Sequence, residues 1–314
     1  MYANKVIESL DRAGLVTENS EKQEIILIMK NINDSVKFEL GCADLFIDIN
    51  EKKITSDLFI DKEMNLTFSS CWFDWEYSKE TKEKYPNTMW STKKGCSIFK
   101  VKNTIKDDVW IAVTFFYDDD SKKWMSTLFW HLISPRMYWA ENKNFDIMFN
   151  MFGINNDENK FNSKKSTCFA VPSKTASLMF NNNKETLKTA LDKDITELIV
   201  VEDILKLFTC KNITTKTTPA PEKLNKKRIK KGKLPIFEYK TLHITLPGKT
   251  KKNGLRKSIG TTQRLHMCRG HFKEYTEDAP LFGRITGRFW WQPAVRGDKS
   301  KGEIKKDYTV KTRS

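Results

Sequence analysis

The charge of this chain is split near residue 222, and that split constrains its organisation more than any other feature. From Glu222 to Ser314 there are 25 Lys and Arg against 8 Asp and Glu, whereas residues 1–221 carry 30 against 32. The break coincides with Lys211 to Lys233, which contains Thr-Thr-Lys-Thr-Thr-Pro-Ala-Pro and Lys-Lys-Arg-Ile-Lys-Lys-Gly-Lys and few apolar residues. Such composition reads as a basic, extended linker. It predicts an α+β domain over 1–210, a linker over 211–233 and a basic, β-rich domain over 234–314. At 314 residues the chain is long enough for two ordinary domains, and 9 Trp with 20 Phe are enough for packed cores.

The neutral part opens with two helices. Asn4 to Leu15 places Val6, Ile7, Leu10 and Ala13 on one side, with Gly14 near the end, and Glu21 to Asn31 carries Ile25, Ile26, Ile28 and Met29. Ser97–Lys102, Val109–Tyr117 and Trp124–Ile133 read as an antiparallel meander, with Asp118 to Lys123 as the turn between the last two. Asp118 to Asp120 is a solvated hairpin tip rather than a metal site, and His131, on an apolar strand, is a core or edge histidine. Asn155 to Lys165 is polar and loop-like. Leu187, Ala190, Leu191, Ile195, Leu198, Ile199, Ile204 and Leu207 then predict a helix from about Lys184 to Thr209, interrupted near Asp192 to Asp194.

Beyond the linker the pattern is almost pure β: Ile236–Leu246, Arg264–Tyr275, Gly287–Trp291 and Ile304–Lys311, separated by the polar loop Lys249–Thr262 and the turn Asp278–Gly283. Four or five short strands in under 90 residues predict a small bent sheet or SH3-like barrel. Three of the chain's four histidines, His243, His266 and His271, fall here among arginines, lysines and paired tryptophans. Imidazole titrates near neutrality, and cations interleaved with aromatics suit phosphates and bases.

Strict alternation puts Arg264, His266 and Cys268 on one face of the central strand, and Arg269, His271, Lys273 and Tyr275 on the other. A bulge at Gly270 would bring both histidines onto one face. His271 belongs to the candidate site either way. Cleavage of an RNA phosphodiester needs an acid or base and cations for the phosphorane. His271, His266, Arg269, Lys273 and Tyr275 are the candidates for that chemistry, with no metal and no cofactor expected. Binding alone would use Arg264, Arg288, Trp290, Trp291 and Arg296, with one tryptophan packed inward and the other free to stack. The basic run Lys226, Lys227, Arg228, Lys230 and Lys231 would act as an arm on the phosphate backbone.

The series Arg269-Gly270-His271-Phe272, Pro280-Leu281-Phe282-Gly283, Gly287, Trp290-Trp291, Val295-Arg296-Gly297 and Lys306-Asp307-Tyr308 resembles the C-terminal segment of an uncharacterised protein group associated with bacteriophages, plasmids and their hosts. The likeness covers about fifty of 314 residues. Where that group has Pro-His-Val-Arg-Gly, this chain has Pro293-Ala294-Val295-Arg296-Gly297, which removes a histidine from the position before Val295. The group implies no established activity.

The expected function is therefore nonenzymatic binding of nucleic acid, RNA before DNA, through the basic β domain. That binding could extend to a nucleoprotein assembly of the host; a metal-independent endoribonuclease using His271 with Arg269 and Tyr275 is the alternative, and an inhibitor that binds a host protein is a third. Six scattered cysteines with no CxxC pair, no apolar run of membrane-spanning length and an N-terminus without a signal peptide's apolar core point to the bacterial host cytoplasm, with no membrane partner.

Overall fold

The computed structural model describes residues 2–14, 19–45, 64, 66–84, 91–101, 109–127, 129–133, 168–172, 197–245, 264–268, 270–292, 294–296 and 298–303. The fold is α+β. The chain divides into two compact units, Met1–Thr209 with Thr214–His243, and Cys210–Ile213 with Ile244–Ser314.

The first unit begins with α1 (Ala3–Gly14) and α2 (Asn19–Asp34), each within a few residues of the range its apolar spacing predicts. β1 (Val36–Cys42), β2 (Ser70–Glu76), α3 (Lys79–Lys84), β3 (Lys93–Lys100), β4 (Trp110–Asp118), β5 (Lys123–Ser126), β6 (Phe129–Ile133) and β7 (Cys168–Pro172) follow. Residues 197–208 form α4, the described part of the helix expected over 184–209. β8 (Ile213–Thr218), α5 (Glu222–Lys230) and β9 (Tyr239–Ile244) come next. The strands form one sheet in the order β7-β6-β4-β3-β2-β1-β9-β8, with β5 also on β4. β1 runs parallel to β2 and to β9, and the β2-β3-β4-β6-β7 path is antiparallel.

Both faces of the central strands β2, β3 and β4 are buried, so these carry near-continuous apolar runs instead of a polar alternation. Cys71, Phe73, Trp75, Ile98, Trp110 and Ala112 pack with Leu198, Val201, Ile204 and Leu205 of α4. Trp72, Phe99, Ile111, Val113 and Phe115 pack with Val6, Ile7, Leu10, Ile28 and Ile32 of α1 and α2. Gly95 is where Trp72 crosses the sheet: a Cβ there would lie 2.5 Å from the indole ring.

The expected meander is present with one departure. Its third strand is broken into β5 and β6, because Phe115 faces Ser126 while Ala112 faces His131, which leaves two extra residues on that side. The hydroxyls of Thr114 and Thr127 meet at 2.6 Å beside the irregularity. His131 is fully buried, and the Asp118 carboxylate caps the hairpin turn by accepting from the Ser121 N–H at 3.0 Å.

The stretch read as an extended linker is ordered. Residues 213–218 are a strand and 222–230 a helix, and 214–243 fold with the first unit. Asn225 clasps the Ile236 backbone, Nδ2 donating at 2.8 Å and Oδ1 accepting at 2.7 Å. Arg228 donates to the Leu234 carbonyl at 2.7 Å and to Glu8 at 2.8 Å. The strand expected at 236–246 joins β1, so His243 leaves the cationic unit.

The second unit contains β10 (Arg264–Cys268), β11 (His271–Tyr275), β12 (Gly287–Trp291), β13 (Ala294–Arg296) and β14 (Asp298–Glu303). β10 pairs antiparallel with β13 and parallel with β14, and β11 pairs antiparallel with β12. The loops at 155–165 and 249–262 and the strand expected at 304–311 lie outside the described residues.

Candidate functional site

Charge follows the second unit even after the basic helix is returned to the first. Cys210–Ile213 with Ile244–Ser314 holds 18 Lys and Arg against 6 Asp and Glu, a net of +12. Subtracting from the chain totals of 55 and 40 leaves 37 against 34 for the first unit.

Within the second unit the ladders place the predicted residues. His266 faces Arg296 and Cys268 faces Ala294, then His271 faces Trp291 and Tyr275 faces Gly287. His266 and His271 thus stand in two different ladders, β10 with β13 and β11 with β12. The bulge expected at Gly270 adjoins residue 269, which lies outside the described residues. In the backbone ladder Arg264 stands opposite Asp298 of β14. Arg269 lies outside the described residues.

His271, Lys273 and Tyr275 share one face of β11. His271 and Lys273 are exposed and Tyr275 is half-buried. The Lys273 ammonium stands 4.8 Å from the Tyr275 ring centroid, and that ring meets Phe289 edge-on at 5.7 Å. This is a cation held over an aromatic plate whose other contact is core.

The remaining candidates divide. Trp290 is 4% exposed and packs on Phe272 at 4.7 Å, so it is the inward tryptophan and is removed from any stacking role. Trp291 is half-buried. Arg288 donates through Nε to Glu274 at 2.9 Å and pairs with it again through Nη2, which partly neutralises it as a phosphate ligand. Lys226, Lys227, Lys230 and Lys231 are exposed on or just after α5, in the first unit, and Arg228 is engaged by Glu8.

Sequence reasoning missed Lys211. It is exposed, and its alkyl stem lies against Gly287, where a Cβ would come within 2.6 Å of Lys211 Cε. Gly287 also has φ +107, and it is this backbone conformation that favours glycine there, since the lysine stem could shift aside. The only sequence signal was a glycine opening an aromatic strand.

A cavity of about 310 Å³ in the first unit, beside the β1 irregularity, is lined by Glu39, Asp74 and Glu76 together with Tyr2 and Tyr77. Its carboxylates have the wrong sign for a phosphate chain. Among the described residues no group of three or more His, Cys, Asp or Glu is gathered as for a metal, and no helix is long and apolar enough to cross a membrane. Comparison with known proteins finds no match to a protein family, to a curated sequence or to a solved structure.

Proposed function

We propose that the second unit binds nucleic acid, without catalysis, through the exposed face of β11. The observation that carries this reading is exposed Lys273 over the Tyr275 ring, with exposed His271 on the same strand face, in a unit of net charge +12. Lysine neutralises phosphate, and the aromatic gives a π surface for a base. The tail's resemblance to a group from phages and plasmids fits such a role and adds no activity to it.

The ribonuclease reading has less support. His266 and His271 stand in separate sheets, so on the β11 face acid and base would have to come from His271 and Tyr275.

Fluorescence anisotropy with a labelled RNA strand and its DNA counterpart, in EDTA and across a KCl series, tests the proposal. The expected result is salt-dependent binding of intact strand, weakened in Lys273→Gln. Cleavage that vanishes in His271→Ala would replace binding with catalysis, and absence of binding at low salt would reject both.

A further inference from the structure

The connection between β11 and β12 carries a feature that its turn composition does not explain. Leu281 and Ile285 are bridged by backbone bonds in both directions, at 2.7 and 3.1 Å, and Leu281 is buried. Between them Phe282 has φ +53 and Gly283 φ +75, and the Arg284 N–H returns to the Leu281 carbonyl at 3.3 Å. Two central residues with positive φ are the mark of a type I′ turn, whose first central position favours Asn, Asp or Gly. A bulky side chain there is strained. Phe282 nevertheless occupies it and stays 44% exposed, so burial of the ring contributes little in return. Strained residues of this kind cluster at ligand-binding and switch sites.

Its surroundings define the ligand's chemistry. Arg284 is exposed two residues on. The tip grows from the end of the ribbon where Tyr275 faces Gly287, the glycine covered by the Lys211 stem, and Lys273 stands over Tyr275. An exposed ring on a ribbon that also carries cations matches an unstacked base and its flanking phosphates. In a continuous duplex every base face is occupied by its neighbours, so a ring of this kind discriminates in favour of single strands.

We infer that Phe282 is a stacking wedge that selects single-stranded nucleic acid, with Arg284 and Lys211 on the adjoining phosphates. This rests on the binding function proposed above and names its substrate class.

The test uses the full chain with a 12-nucleotide strand carrying 2-aminopurine and with the same strand in a duplex. Phe282→Asn removes the ring and suits the turn, so this variant is expected to melt at or above the wild-type temperature. The wild type binds the single strand more tightly than the duplex and changes 2-aminopurine emission. Phe282→Asn loses single-strand affinity by roughly tenfold or more. It also loses the preference over duplex and keeps its salt slope, whereas Arg284→Gln lowers that slope. Wild-type binding with Phe282→Asn unchanged overturns the wedge and leaves the binding function standing. A wild type that binds neither probe overturns that function and the wedge with it. Binding to anionic vesicles that Phe282→Asn abolishes, with nucleic-acid affinity unchanged, would assign the tip to a lipid surface and overturn the inference.

Discussion

Asn212 grips Trp290 with both arms of its side-chain amide: Nδ2 donates to the Trp290 carbonyl at 2.8 Å, and Oδ1 accepts from the Trp290 N–H at 2.9 Å. The Lys211 N–H donates to the Arg288 carbonyl at 2.9 Å in the same segment. Lys211 and Asn212 therefore act as a short stand-in for a strand along the edge of β12 that faces away from β11. Asn212 is buried, so water cannot replace these bonds.

Asn212→Ala removes both bonds to one buried peptide, at a cost of roughly 2–4 kcal/mol. The Trp290 amide should lose hydrogen-exchange protection, and the denaturant midpoint of the second unit should fall. Asn212→Asp loses the donor and adds a buried charge, so it is expected to be at least as damaging. Unchanged exchange at Trp290 in Asn212→Ala would show that this clasp does not hold the strand.

In the first unit, Lys94 Nζ lies 2.7 Å from Glu197 Oε1, with both side chains buried. The Tyr77 hydroxyl donates to Glu197 Oε2 at 3.2 Å, and burial together with the Glu197 charge pushes that phenol's pKa well up. Removing one partner strands a buried charge, so Lys94→Ala should cost about 3–5 kcal/mol in urea denaturation. The double change Lys94→Met with Glu197→Gln leaves Tyr77 an acceptor and no charge. It is expected to recover most of that loss. A double variant no more stable than Lys94→Ala would mean that packing, not charge, sets the cost.

Asp74 is 1% exposed and accepts from the Tyr2 N–H at 2.8 Å and from Trp72 Nε1 at 3.0 Å. Burial dominates over these donors and raises its pKa to about 6. A carboxyl whose folded pKa exceeds its unfolded value takes up a proton on folding between the two. Stability therefore falls as pH rises from about 4 to about 6, by on the order of 3 kcal/mol from this group. Asp74→Asn keeps an oxygen for both donors and lacks the titration. Its denaturation midpoint should gain on the wild type through that window, and parallel pH profiles would count against the buried carboxyl as the cause.

What was legible in the sequence is what repeats along it. The spacing of Val6, Ile7 and Leu10 and the runs in β3 and β4 report burial directly, because each apolar position is decided by its own neighbours. The face shared by His271, Lys273 and Tyr275 was legible for the same reason. The linker was not. Lys226 to Lys233 has the composition of an extended basic arm, and it is held by Asn225 reaching Ile236 and Arg228 reaching Glu8, contacts that composition cannot encode. Which of Trp290 and Trp291 turns inward likewise rests on packing that adjacency in sequence does not reveal, the Trp290 ring lying on Phe272 of the neighbouring strand. Phe282 escaped because Pro-Leu-Phe-Gly reads as a turn, and the turn's sign of φ emerges only from the backbone.

The ordered helix α5 changes how its lysines must be tested. Arg228 holds Glu8 and the Leu234 carbonyl, so replacing it would disturb the first unit and confuse a binding measurement. Lys226, Lys227, Lys230 and Lys231 are exposed and can be changed to Gln together while Arg228 is kept. If α5 lies along the phosphate chain, the slope of log affinity against log salt should become shallower by about 0.7 for each lysine that neutralises a phosphate of a single strand. Arg228→Ala is expected instead to lower the melting temperature with little change in slope. A four-lysine variant whose slope equals that of the wild type would confine phosphate binding to the second unit, where Lys211, Lys273 and Arg284 remain to supply it.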